Sequence, residues 1–353
     1  MSIVKNIQQA LKDEQLDAII ISNPMNRRYA TGFTGTAGIA LVSQNDARFI
    51  TDFRYVEQAN DQATSFKIIE HTSAIETELN KQLKLMNAER VAFEKETVTY
   101  STYERLKKSL EVELVPFAQM IESLRLIKTE EELEVMKQAA QIADDAYDHI
   151  QKYIKAGVRE IDIATELEFF MRKQGATSSS FDIIVASGER SALPHGVASN
   201  KRIENGELVT LDYGALFNGY CSDITRTIAV GEISEELNDI YHTVLNAQLK
   251  GVEQIGPHMT GQEADAIPRD YIDAKGYGQY FGHSTGHGIG LDVHEAPRLS
   301  KLSTTELKCG MVVTVEPGIY INNVGGCRIE DEIVITETGN ERLTHSTKEL
   351  IIL

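Results

Sequence analysis

The chain has 353 residues, more than one ordinary hydrophobic core serves and enough for two domains. Its 35 basic residues stand against 53 acidic ones, a formal net charge of −18, and no Lys/Arg-rich run offsets it; a surface of this sign repels phosphate backbones and excludes nucleic acid as a partner. No apolar run approaches the ~20 residues that span a bilayer. The three cysteines, an odd number without a C-x-x-C pair, fit neither a disulfide framework nor a structural zinc site, and they suit a reducing compartment.

In chain order, Ile3, Val4, Ile7, Ala10, Leu11 and Leu16 recur at helical spacing between charges. The opening is therefore expected to be an amphipathic helix rather than a secretory signal, and the compartment the cytoplasm. A strand-like run, Asp17–Ser22, leads to a turn at Asn23-Pro24, and Gly32, Gly35 and Gly38 punctuate the stretch before a second apolar run, Ile39–Val42. These glycines do not match G-x-G-x-x-G and precede no helix, so turn geometry accounts for them better than a phosphate cradle. Alternation in Arg48–Thr51 and Arg90–Phe93 predicts further strands, and Tyr103–Leu110 a helix among them. Residues 1–125 thus read as a small α/β domain.

The pattern changes near residue 125. Thr129 followed by Glu132 is a capping box, each side chain serving an orphan backbone N–H of a first helical turn. Leu133, Met136, Ala140, Ala143, Tyr147 and Ile150 then line one face of a long helix. A second helix is expected from Ile161 to Lys173, ended by Gly175. From Phe181 the chain is strand-rich, with helices near 235–251 and 260–275. Residues 126–353 read as a second, α+β domain.

That domain contains an echo. Gly206-Glu-Leu-Val-Thr-Leu-Asp212-Tyr-Gly214 matches Gly310-Met-Val-Val-Thr-Val-Glu316-Pro-Gly318 at a constant offset of 104. Each is followed by a second strand-like stretch carrying an acid, Asp223 in Ser222–Val230 and Glu330 in Arg328–Thr336. Two related halves are expected, each delivering acids into one shared space. Four carboxylates at the ends of apolar runs repel one another in a low dielectric unless cations compensate them. Divalent metal ions do so; ion pairs with Arg226 and Arg328 are the structural alternative.

The segment Phe281-Gly-His283-Ser-Thr-Gly-His287-Gly-Ile-Gly290-Leu-Asp-Val-His294 packs three histidines together, and its glycines suit a strand or loop more than a helix. No HExxH is present. His195 follows a probable strand. One imidazole among four carboxylates makes an oxygen-rich set that favours manganese, cobalt or ferrous iron, with zinc also able to occupy it. Two metals sharing bridging carboxylates polarise a carbonyl and lower the pKa of water, which is hydrolytic chemistry.

The order Asp212, Asp223, His287, Glu316, Glu330, set in HGIG, VEPG and RIED, resembles the pita-bread metallopeptidases of the aminopeptidase P and prolidase branch. Residues 1–125 resemble the N-terminal domain of that branch, which methionine aminopeptidase lacks. The resemblance implies an α/β N-terminal domain and an α+β pita-bread catalytic domain with two pseudo-symmetric halves. It implies five metal ligands, Asp212, Asp223, His287, Glu316 and Glu330, for two divalent ions, manganese first, with Asp223 and Glu330 bridging. It gives Glu316 a part in proton transfer and His294 a part in transition-state stabilisation or proton shuttling. His195 and His283 would line the substrate site, and Arg328 would help recognise the residue after the scissile bond. The implied reaction is hydrolysis between a first residue and a following proline. An aminopeptidase is the expected form, a dipeptidase confined to Xaa-Pro the alternative. A creatinase-type hydrolase or a non-catalytic peptide-binding module predicts broken ligand sets, and none is broken. The resemblance also implies a homodimer, in which the 32–38 stretch could reach the neighbour's pocket.

Overall fold

Residues 2–353 are described by a computed structural model, and they divide between Arg125 and Leu126 into two compact units. In the first, Ala18–Ile21 is buried along its whole length and forms a central strand of a six-stranded sheet. It pairs antiparallel with Ile39–Ser43 and parallel with Arg90–Glu94. Apolar runs of this kind need cover; Leu79 and Leu83, from the helix Ile75–Leu85, pack with Ile20 and Leu41 in one cluster. The turn expected at Asn23-Pro24 is the start of a helix, Pro24–Thr31. The Asn23 side chain accepts the Met25 and Asn26 N–H groups, and Pro24 sits in the first turn, where its missing N–H is no loss.

In the second unit, Thr129 and Glu132 form the capping box, and the helix Glu130–Ile150 buries Met136, Ala140, Ala143, Tyr147 and Ile150. Glu160–Lys173 follows. The two helices expected further on are Glu235–Gln254 and Gly261–Ala274, the latter with its own capping box, Thr260 with Glu263.

The echo extends through the whole unit. Each half opens with a pair of helices and then builds a long strand, a short hairpin and a returning strand. The first half uses Glu207–Tyr213, Ala215–Phe217, Tyr220–Cys221 and Ile224–Val230; the second uses Val312–Val315, Gly318–Ile321, Gly325–Arg328 and Asp331–Ile335. In both, the outer strands pair antiparallel and the inner two form the hairpin. The glycine opening each half's first long strand is left-handed, φ 88° at Gly206 and φ 87° at Gly310, a conformation that strains residues with a Cβ.

One placement differs from the sequence reading. Asp223 and Glu330 do not lie within the returning strands. Each is the second residue of a short break, Ser222-Asp223 and Ile329-Glu330, between hairpin and strand. Outside the ladder a side chain is released from strict alternation between faces, which lets both acids turn into the same space.

Candidate metal centre and substrate cavity

The echoed strands converge on a cavity of about 480 Å³. Asp212, Asp223, His287, Glu316 and Glu330 line it, as do His195, His283, His294 and Arg328. Asp212 comes from the end of Glu207–Tyr213, and Glu316 follows Val312–Val315 directly. His287 sits on the short strand Gly286–Gly288. Its neighbour must be small: a Cβ on Gly286 would fall 1.9 Å from the Thr314 carbonyl oxygen.

Hydrogen bonds aim these groups. The Thr314 hydroxyl accepts the His287 backbone N–H at 3.1 Å and donates to Glu316 at 3.3 Å. His287 Nδ1 lies 3.0 Å from the Gly288 carbonyl oxygen, which can only accept, so Nδ1 carries the proton. Nε2 is left as a lone pair, 3.4 Å from Glu316 Oε1 and 3.7 Å from Asp223 Oδ2. An imidazole held in this tautomer is prepared to ligate a metal.

The carboxylates are under-satisfied. Glu330 Oε2 accepts the Thr225 hydroxyl at 2.6 Å, yet Glu330 Oε1, Asp223 Oδ1 and Asp212 Oδ1 are buried without a hydrogen-bond partner. Burial pushes the Asp223 and Glu330 carboxyls well above the usual range, reinforced by the charges of Glu330 and Asp212 at Asp223 and of Glu316 and Asp212 at Glu330. Burial likewise pushes Glu316 up to about 8, against the opposing pull of Arg328, and pushes the His287 imidazole down to about 3. A set of orphaned acid oxygens facing a neutral imidazole lacks positive charge at its centre. Asp223, His287 and Glu330 each offer a ligand atom within 4.8 Å of the others. The donor set therefore fits divalent metal ions, with Asp212 and Glu316 adjoining.

The arginine alternative is partly realised elsewhere. Arg226 is fully buried on Asp331, not on an acid of the cavity. Arg328 does reach one: Nη2 donates to Asp212 Oδ2 at 2.5 Å, Nη1 to the Tyr320 hydroxyl at 2.7 Å and Nε to the Thr225 hydroxyl at 3.2 Å. Each of its three nitrogens thus has a partner within the protein. Tyr320 also meets His283 Nε2 at 2.9 Å, and His283 is pushed down to about 4, first by burial and then by Arg328. His294 stacks edge-on against His287, ring centres 4.4 Å apart.

Sequence reasoning passed over Tyr320, Thr314 and Arg298. Tyr320 follows VEPG on the short hairpin strand, and Thr314 sits inside the echoed Val-Thr. Arg298 lines the cavity from the strand Glu295–Leu299, exposed, four residues after His294. Its signal was proximity to the histidine segment. None of the three cysteines is among the residues lining the cavity; burial pushes Cys221 and Cys327 up to about 12, and Cys309 is exposed.

Comparison with known proteins places both units. Residues 3–127 match the creatinase/prolidase N-terminal domain, and residues 134–337 match metallopeptidase family M24. A solved Xaa-Pro dipeptidase from Bacillus anthracis is 57% identical, with a TM-score of 0.98 and 99% of each chain covered. An Xaa-Pro dipeptidase of Pyrococcus furiosus is 42% identical over 355 residues, again covering 99% of each chain. A solved X-Pro aminopeptidase from Thermotoga maritima is 38% identical, with a TM-score of 0.92 and 99% of each chain covered. With the M24 match spanning more than half of its length and such relatives aligned end to end, the chain belongs to metallopeptidase family M24.

Proposed function

We propose that the protein is a two-metal exopeptidase that hydrolyses Xaa-Pro dipeptides. The observation that carries the metal reading is the set of orphaned oxygens on Asp212, Asp223 and Glu330 around the free Nε2 face of His287. The sequence favoured an aminopeptidase on longer peptides. Relatives named Xaa-Pro dipeptidase, at 57% and 42% identity, support the dipeptide reading better than the X-Pro aminopeptidase at 38% supports the other.

Asp212, Asp223, His287, Glu316 and Glu330 would hold the two ions, manganese by donor type. When bound, such a pair supplies Lewis acidity and lowers the pKa of water. The chain's own groups do the rest. Glu316, oriented by the Thr314 hydroxyl, moves a proton between water and the leaving amine. His294, held against His287, donates a hydrogen bond to the oxygen that gains negative charge. His195 and His283 line the space for the substrate. Arg328, committed to Asp212 and Tyr320, orients an acid rather than the substrate, and Arg298 is the cation placed to meet a dipeptide's carboxylate.

The deciding assay compares Ala-Pro with Ala-Pro-Ala after loading with manganese. Cleavage of the dipeptide with little or none of the tripeptide is expected; preference for the tripeptide would restore the aminopeptidase. We also propose, from the family resemblance, a cytoplasmic homodimer, which light scattering tests.

A further inference from the structure

Asp223 and Glu330 come from different halves of the catalytic unit, and each half's side chains grip the other's backbone behind the cavity. Glu332, 0% exposed, accepts the backbone N–H of Asp223 through Oε1. Reciprocally, Arg226, 1% exposed, donates Nη1 to the backbone carbonyl of Glu330. Arg226 is itself fixed by Nη2 on Asp331 Oδ1 at 2.7 Å and on the Ser346 carbonyl at 2.8 Å. Asp331 in turn takes Lys348 at 2.5 Å and Gln248 at 3.0 Å.

Both gripped residues stand in the breaks between hairpin and strand, where the Glu330 N–H is also held, by the Thr225 carbonyl at 3.1 Å. Among the described residues, the Asp223 N–H and the Glu330 carbonyl thus find their side-chain partners across the boundary between halves. A buried carboxylate near the buried acids Asp144 and Asp331 is electrostatically costly, and among the described residues Glu332 Oε2 gains no hydrogen bond to offset it. Packing alone does not explain an acid there.

We propose that Glu332 and Arg226 are a reciprocal pair of positioning residues, which set the separation of Asp223 and Glu330 and with it the affinity of the site for its metal pair. The proposal rests on the reading of Asp223 and Glu330 as metal ligands. Neither Glu332 nor Arg226 reaches the cavity; each acts through the main chain of a ligand.

The test titrates the metal-stripped full chain with Co2+, by calorimetry and by the visible absorption of the bound ion. Wild type, E332Q, E332L and R226K are compared, with D223A as the reference for a lost ligand. Glutamine keeps an oxygen where Oε1 accepts the Asp223 N–H, whereas leucine keeps the bulk and removes the acceptor. E332L is expected to bind Co2+ about 10- to 100-fold more weakly with an altered absorption band, and E332Q to stay close to wild type. Because leucine leaves a buried N–H without a partner and can unfold the chain, R226K gives an independent reading. Lysine keeps a charge for Asp331 but cannot also span to the Glu330 carbonyl, so R226K is expected to weaken binding too. Wild-type affinity and spectrum in folded E332L, or in R226K, overturns the positioning role while leaving the ligand reading intact. Wild-type affinity in D223A overturns the ligand reading and the proposal with it.

Discussion

Arg298 and Arg328 bring the same charge to one cavity with different freedom. Arg328 is 3% exposed and already holds Asp212, Tyr320 and Thr225 with one N–H from each of its nitrogens. Arg298 is exposed, and among the described residues its guanidinium has no hydrogen-bond or ion-pair partner to give up. A charge-assisted hydrogen bond made equally to substrate and transition state shows in KM more than in kcat. R298A is therefore expected to raise KM for Ala-Pro roughly tenfold or more with kcat little changed. Ala-Pro amide, which lacks the carboxylate, should be a poor substrate for wild type and nearly indifferent to R298A. Equal sensitivity of acid and amide to the substitution would remove Arg298 from substrate recognition.

Among the elements, the helix Glu130–Ile150 depends on a start that the sequence displays openly. T129A removes one half of its capping box and is expected to cost about 1 kcal/mol. In a unit of this size that lowers the melting midpoint by about 2–4 °C, readable by circular dichroism. Elements with a strong period or a cap were legible in this way: the opening helix, the capped helices of the second unit and the echoed strands. Elements with weak signals were not. Pro24–Thr31 is a polar helix with little apolar period, and its Asn-Pro start reads equally well as a turn. The site was legible as residue types but not as geometry. The strand pattern placed Asp223 and Glu330 inside ladders because it does not reveal where a ladder breaks. Nor does sequence show that Arg328, expected as a substrate contact, also holds Asp212, Tyr320 and Thr225.

For the whole molecule, the metal-free site stores repulsion among buried acids that bound ions relieve. A ligand present at about a hundredfold over its dissociation constant stabilises the folded state by ~2.7 kcal/mol. Chelation is thus expected to lower the melting transition of residues 126–353 by about 5–10 °C, reversed by added manganese. A midpoint indifferent to chelator and manganese would mean that no cation balances those acids.

The grip across the two halves also bears on how the protein is made. Thr225 and Glu330 are 105 residues apart in sequence, Asp223 and Glu332 109, Asp212 and Arg328 116. A nascent chain that has just completed the first half already contains Asp212 and Asp223, but nothing yet holds them at the separation a metal pair needs. Contacts of such long range form late because loop closure precedes any gain from them. On the proposed ligand set, metal capture would therefore wait until Glu330 and Glu332 have left the ribosome and the second half has docked on the first.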